Sequence, residues 1–259
     1  IMPSAKGISG GITNQVVPAA DAAGRTGGLT LGKKLAAVAS SAIAAAGIGK
    51  AIAASIEEGG KLQQSIGGVE TLFKSSAGMV KQYAQEAYRT TGVSANSYME
   101  NVTSFAASLV SSCGGNTKKA AKLANTAMTD MGDNANKMGT DMELVQETYQ
   151  SLARGNYEML DNLKLGYGGT KSEMERLMKD AEKLTGEHYT VGDFGDTVKA
   201  IHAVQEHLKI TGTTAKEAST TLQGSFNSMK ASFQDVLGNL SDGELDITPS
   251  LNALATTTS

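Results

Sequence analysis

Proline stands at Pro3, Pro18 and Pro249, and the long interval between the last two contains none. Because proline removes a backbone donor and clashes with the preceding turn, its absence leaves the whole middle of the chain free to be helical. The interruptions come from glycine instead. The 30 glycines exceed the roughly 7% of average usage, and they recur between stretches whose apolar residues fall at a spacing of three or four. Aromatic residues make up 5%, tryptophan is absent, and alanine dominates the apolar set. A core of this kind forms by close approach of helix backbones rather than by bulky side chains. The expected fold class is all-α: a multi-helix, glycine-interrupted domain preceded by an Ala/Gly-rich apolar helix and a flexible arm.

Four regions follow along the chain. Residues 1–32 carry seven glycines and two prolines without a sustained period and read as a flexible Gly-rich arm. Residues 33–58, KKLAAVASSAIAAAGIGKAIAASIEE, are the apolar helix; the stretch from Leu35 to Gly49 has no charge. Ser41, Ala45, Gly49 and Ala53 form a small-residue row at spacing four that lets two helices approach closely. A membrane span needs about 20 strongly apolar residues; this stretch is shorter, is interrupted by Lys50 and is built from Ala, Ser and Gly, so close helix packing is the favoured reading. Residues 59–240 form the helical domain, and residues 241–259, with Pro249 and a Thr-rich end, read as a linker or disordered tail.

Within the domain the stripes are Leu62, Ile66, Val69, Leu72 and Phe73, then Met79, Val80, Tyr83, Ala84, Ala87 and Tyr88, then Tyr98 to Val110 behind a Ser94 cap. Asn116 opens a helix carrying Ala120, Leu123, Ala124, Ala127, Met128 and Met131, and Met142 to Ala153 form another. The turn Gly166-Tyr167-Gly168-Gly169 then lies between two helical patterns, the first ending in an apolar patch (Leu160, Leu163, Leu165) and the second carrying Met174, Leu177, Met178, Ala181 and Leu184 on one face, so a helix, a glycine turn and a capped helix are expected. Thr170 and Glu173 match a capping box, as do Thr214 and Glu217. Positive φ is expected at Gly168 and Gly169. The last stripe, Ala218 to Leu240, predicts a long helix. Tyr83, Tyr88, Tyr98 and Tyr149 are expected at the margins of packing, and the methionines as adaptable core filler.

Net charge is −3 from 23 basic and 26 acidic residues, without a basic run that would mark a nucleic-acid footprint. Cys113 is the single cysteine, which excludes an intramolecular disulfide. His202 and His207, five apart on a helix, point about 140° apart and cannot share a metal. His202 with Glu206 is the nearest approach to a ligand pair, and a solvated helix face explains it better. Asp193 and Asp196 suit a helix start. The glycine turn matches neither a P-loop nor a dinucleotide fingerprint. No catalytic, cofactor-binding or metal residue is therefore assigned, and an enzyme is not expected.

Two segments carry a resemblance. ARGNYEMLDNLKLGYGGTKSEMERLMKDAEKL at residues 153–184 and VKAIHAVQEHLKITGTTAKEASTTLQGSFNSMK at residues 198–230 resemble the tail tape measure proteins of long-tailed bacteriophages and prophages. IEEGGKLQQSIGGVETLFKSSA at residues 56–77 resembles the same family, so the likeness covers most of residues 56–240. The resemblance implies a structural segment inside the tail tube that sets tail length during assembly and leaves with the DNA. It also implies tail tube proteins, tail assembly chaperones and tail tip proteins as partners, homo-oligomers within the tube, and residence in the virion tail lumen after assembly in the host cytoplasm. A continuous helix of the whole chain would span about 390 Å at about 1.5 Å per residue, whereas the repeated glycines and caps favour shorter helices that rearrange between an extended and a folded state. The alternative function is that of a membrane-active helical protein, a pore former or envelope-penetrating segment that contacts the host membrane through residues 35–56.

Overall fold

Most helices described in this chain start where a side chain takes a free amide, and two of them stop at a left-handed glycine. The computed structural model describes residues 48–220 and Asp235, with side chains described over residues 61–217 and at Asp235. The helices are α1 (Ile48–Phe73), α2 (Ala77–Thr90), α3 (Ala95–Ser112), α4 (Thr117–Met138), α5 (Met142–Ala153), α6 (Lys171–Thr185), α7 (Phe194–His207) and α8 (Thr213–Thr220). Short 3-10 turns occupy Lys74–Ser76 and Leu160–Leu163, and no strand occurs among the described residues. The all-α expectation holds.

The caps are local and follow the side-chain rules for helix ends. Ser94 Oγ accepts from the Ser97 amide at 3.2 Å, Asn116 Oδ1 from Lys119 at 3.0 Å, and Asp193 Oδ1 from Asp196 at 2.9 Å. Gly139 and Gly186 close α4 and α6 with φ of 64° and 75°. Cys113 is the residue that ends α3.

Three local expectations are corrected. The patch before the glycine turn is not part of an α-helix: Leu160 to Leu163 make a 3-10 turn, and Leu160, Leu163 and Leu165 are buried. Gly168 and Gly169 do not have positive φ; in this turn Gly166 does, at 87°. Gly169 is required for another reason, because a Cβ there would run into the Glu158 carbonyl. Tyr98 and Tyr149 are fully buried rather than marginal.

The expected boundary at residues 58/59 falls inside α1, which continues through Gly59 and Gly60. Residues 1–47, most of the helix expected after Ala218, and the tail at 241–259 lie outside the described residues, as does most of the 35–56 segment. No helix among the described residues is long and apolar enough to cross a membrane.

The core is organised on α4. It packs against α1, α2, α3, α5, α7 and α8, and Ala120, Ala121, Ala124 and Ala127 along it are fully buried, so its neighbours come close to its backbone. Five successive residues, Asp130 to Asn134, are buried, which means that this part of α4 is enclosed on every side rather than along one stripe. Met128, Met131, Met174 and Met178 fill the core as expected. The Phe105 and Phe194 rings meet edge to face, 5.8 Å apart, joining α3 to α7. α6 packs chiefly on α7.

Candidate functional site

The enclosed end of α4 is also the most polar part of the core. Asp130, Asp133 and Asn134 are each 0% exposed, although aspartate is rarely buried without a partner. Their spacing of three and four places Asp130 and Asn134 on the same register as Leu123 and Ala127.

Each acid is compensated differently. Asp133 caps another helix: its Oδ2 accepts from the Gly212 amide at 2.6 Å and its Oδ1 from the Thr214 amide at 2.8 Å, while Thr213 Oγ1 donates to the Asp133 carbonyl oxygen at 3.3 Å. The start of α8 is thus held by a carboxylate from α4, with the positive end of the helix dipole facing the charge. The expected Thr214–Glu217 capping box does not form in this way; Thr214 Oγ1 is buried without a hydrogen-bond partner, and Glu217 accepts from Asn136 Nδ2.

Asp130 has a side-chain partner instead. His202 Nδ1 lies 2.8 Å from Oδ1 and 3.1 Å from Oδ2. The reading of His202 and Glu206 as one solvated face is corrected: the His202 side chain is 37% exposed and pairs inward with Asp130, whereas Glu206 is exposed. The register is fixed two turns earlier, where a Cβ on Gly195 would meet Leu123 Cδ2 at 3.3 Å and the Gly195 amide donates to Ser112 Oγ at 3.1 Å. From Leu123 to Asp130 and from Gly195 to His202 is the same number of residues, so α4 and α7 run in the same direction.

Burial pushes the Asp130 carboxyl up to about 6, against the lowering effect of the His202 hydrogen bond. His202 is raised above the usual imidazole value, first by its hydrogen bond to Asp130. Tyr149 on α5 is close enough to feel both acids; burial and the charges of Asp130 and Asp133 hold its phenol well above the usual range. Its hydroxyl, both amide atoms of Gln205 and Asn134 Oδ1 are buried without a protein hydrogen-bond partner. Asn134 Nδ2 donates to the Leu163 carbonyl at 2.8 Å, which ties α4 to the 3-10 turn.

The second built feature is the glycine turn. Thr170 caps α6 by accepting from the Glu173 amide at 3.2 Å, and Glu173 Oε2 accepts from the Gly168 amide at 2.9 Å, so the reciprocal half of the capping box reaches back two residues further than the usual one. Arg176 donates to the Gly166 carbonyl at 2.6 Å and lies over the Tyr167 ring at 4.4 Å, a cation–π contact. The Tyr167 hydroxyl donates to Asp180 at 3.2 Å; burial and Asp180 push Tyr167 up to about 12. The Arg176 hydrogen bond, with the Gly168 amide second, holds the Glu173 carboxyl below its usual range. The Thr170 amide donates to the Gly168 carbonyl at 3.0 Å, so the turn itself supplies the cap of this helix start.

His188, His202 and His207 are not brought together: His188 pairs with Glu182 at 2.6 Å. Among the described residues no group of three or more His, Cys, Asp or Glu is placed to hold a metal ion. Cys113 is partly buried, and its thiol is pushed up mainly by burial, the reverse of what activates a nucleophile. The polar centre at Asp130 and Asp133 is not legible in the sequence because both acids also fit a solvated helix; the signal present is that Asp130 continues the apolar register of Leu123 and Ala127. Compared with protein-family models, with curated proteins and with solved structures, the chain finds no match.

Proposed function

We propose that this chain is a segment of a phage tail tape measure protein and that residues 61–217 form a folded helical module within it. The observation that carries the reading is the resemblance of LDNLKLGYGGTK at residues 160–171 together with ITGTTAKEA at residues 210–218. The role is structural, with tail tube, tail tip and assembly chaperone proteins as partners and the tail lumen as location. No catalytic step is assigned to it.

The fold qualifies how such a segment measures length. Its longest described helix, α1, has 26 residues, or about 39 Å at about 1.5 Å per residue, and the helices turn back on α4. A module folded in this way adds little length, so a ruler role for it requires an extended state in the tube. The test is an in-frame deletion of residues 61–217 from the parent gene, with tails measured by electron microscopy and their proteins identified by mass spectrometry. Tails shortened by about 1.5 Å per deleted residue indicate that the module is extended inside the tube; tails of unchanged length indicate a folded module. Absence of the chain from purified tails sinks the reading.

A further inference from the structure

Asp133 and Asp130 lie three residues apart on α4 and are both fully buried, yet their compensation is unequal. Asp133 receives two backbone amides at the start of α8. Asp130 receives His202, whose side chain reaches the solvent margin. A buried carboxylate is costly unless paired, and this partner can lose its charge in the physiological range.

We propose that the Asp130–His202 pair is a proton-operated latch that holds α7 against α4, and with it α6 and the start of α8, closing when the pair gains a proton and loosening when it loses one. The charged or titratable groups facing the pair are Asp133 on α4, Glu206 on α7 and Tyr149 on α5. None of them is cationic, so once His202 is neutral the Asp130 charge is left beside a second buried carboxylate and near Glu206. Moving α7 outward relieves this by admitting water to Asp130. α6 goes with it because it packs chiefly on α7, and α8 is affected because Gly212, whose amide Asp133 holds, lies in the short connection after α7.

The direction follows from the two shifts. His202 is raised in the folded state, so its stabilisation is present below the unfolded imidazole value and is lost as pH rises through the folded one. Asp130 is raised from 3.8 to about 6, so the folded state also holds that proton more tightly, and the stabilisation is lost over that interval as pH rises. Both act in the same sense: the latch tightens on acidification and opens toward alkaline pH.

The test is hydrogen exchange of the full chain from about pH 6 to about pH 8.5, corrected for the intrinsic base-catalysed rate. Peptides from α6, α7 and the start of α8 are expected to lose about tenfold more protection than peptides from α1 to α3. Asp130→Asn, which removes the buried carboxyl and with it the partner that raises His202, is expected to abolish the difference, and His202→Gln, which keeps a donor but leaves Asp130 alone to titrate, is expected to shift it. In the wild type, the His202 imidazole is expected to titrate above the ordinary imidazole value of about 6.5 by NMR. The same pH profile in the wild type and in whichever variant folds, uniform loss of protection across all helices, or a His202 that titrates at or below the ordinary imidazole value would each overturn the proposal.

Discussion

Gly132 of α4 crosses Thr91, the residue that ends α2, so closely that a Cβ on Gly132 would stand 2.8 Å from both the Thr91 Cα and its carbonyl oxygen. In an open helix, Gly→Ala stabilises by about 1 kcal/mol. Here the neighbour is backbone and cannot rotate away, so Gly132→Ala is expected to destabilise the domain by about 1–3 kcal/mol. Gly67 on α1 has nothing within 4 Å, and Gly67→Ala is expected to stabilise by about 0.5–1 kcal/mol. Urea unfolding of the two variants checks the opposite signs.

The glycine turn distinguishes conformation from contact. Gly169→Ala drives a methyl into the Glu158 carbonyl and is expected to cost about 2 kcal/mol or more. A Cβ on Gly168 meets Glu173 Cγ at an ordinary 3.5 Å, and Gly168→Ala is expected to stay within about 0.5 kcal/mol. Equal losses in thermal melts of the two variants would mean that the turn is held in some other way.

Helix α8 tests whether a distant carboxylate or a local threonine is its cap. Asp133→Ala removes the acceptor of two backbone amides, of which that of Thr214 is buried, and is expected to cost about 2–4 kcal/mol. Thr214→Val replaces a buried hydroxyl that has no partner by a methyl of similar size, and is expected to be neutral or slightly stabilising. A loss of about 1 kcal/mol in Thr214→Val would restore the local capping box.

Stability is expected to peak on the acid side of neutrality. Asp180 is lowered, chiefly by its hydrogen bond with Lys183. Asp196 is lowered as well; burial pushes it up, but Lys199 and the Thr190 amide outweigh that. A depressed carboxylate contributes stability above its unfolded pKa and loses it as pH falls through the folded one, so these two act below the ordinary aspartate value of about 3.9. Asp130 and His202 act above it and in the opposite sense. Denaturant midpoints are expected to rise from alkaline pH to about pH 5 and fall below about pH 4. In Asp130→Asn, which removes the raised carboxyl and the partner that raises His202, the alkaline limb flattens and the acid limb stays.

Most of the helix ends could be read from sequence because a cap is a local event. Ser94, Asn116, Thr170 and Asp193 each accept from an amide three residues later, and Met142–Ala153 is a helix over the expected span. The apolar stripes identified the inward faces for the same reason: a period of 3.6 residues is a property of one helix. Which faces meet is not. Thr214 looked like a cap because Glu217 follows it at the right interval, yet Asp133, 81 residues earlier, takes the amide. The Ala95 amide, at the start of α3, likewise donates at 2.7 Å to Asp235, 140 residues later.

The sequence by itself determined that the chain is helical, where most of its helices begin and end, and that its core depends on small residues, because propensity, caps and periodicity act over a few residues. Only the tertiary structure decided that α4 is the enclosed helix, that Gly132 is needed for contact rather than for its dihedral angles, and that Asp130 faces His202. An acid on a helix has the same local chemistry whether water or another helix covers it. Burial is what turns the difference into a pairing requirement.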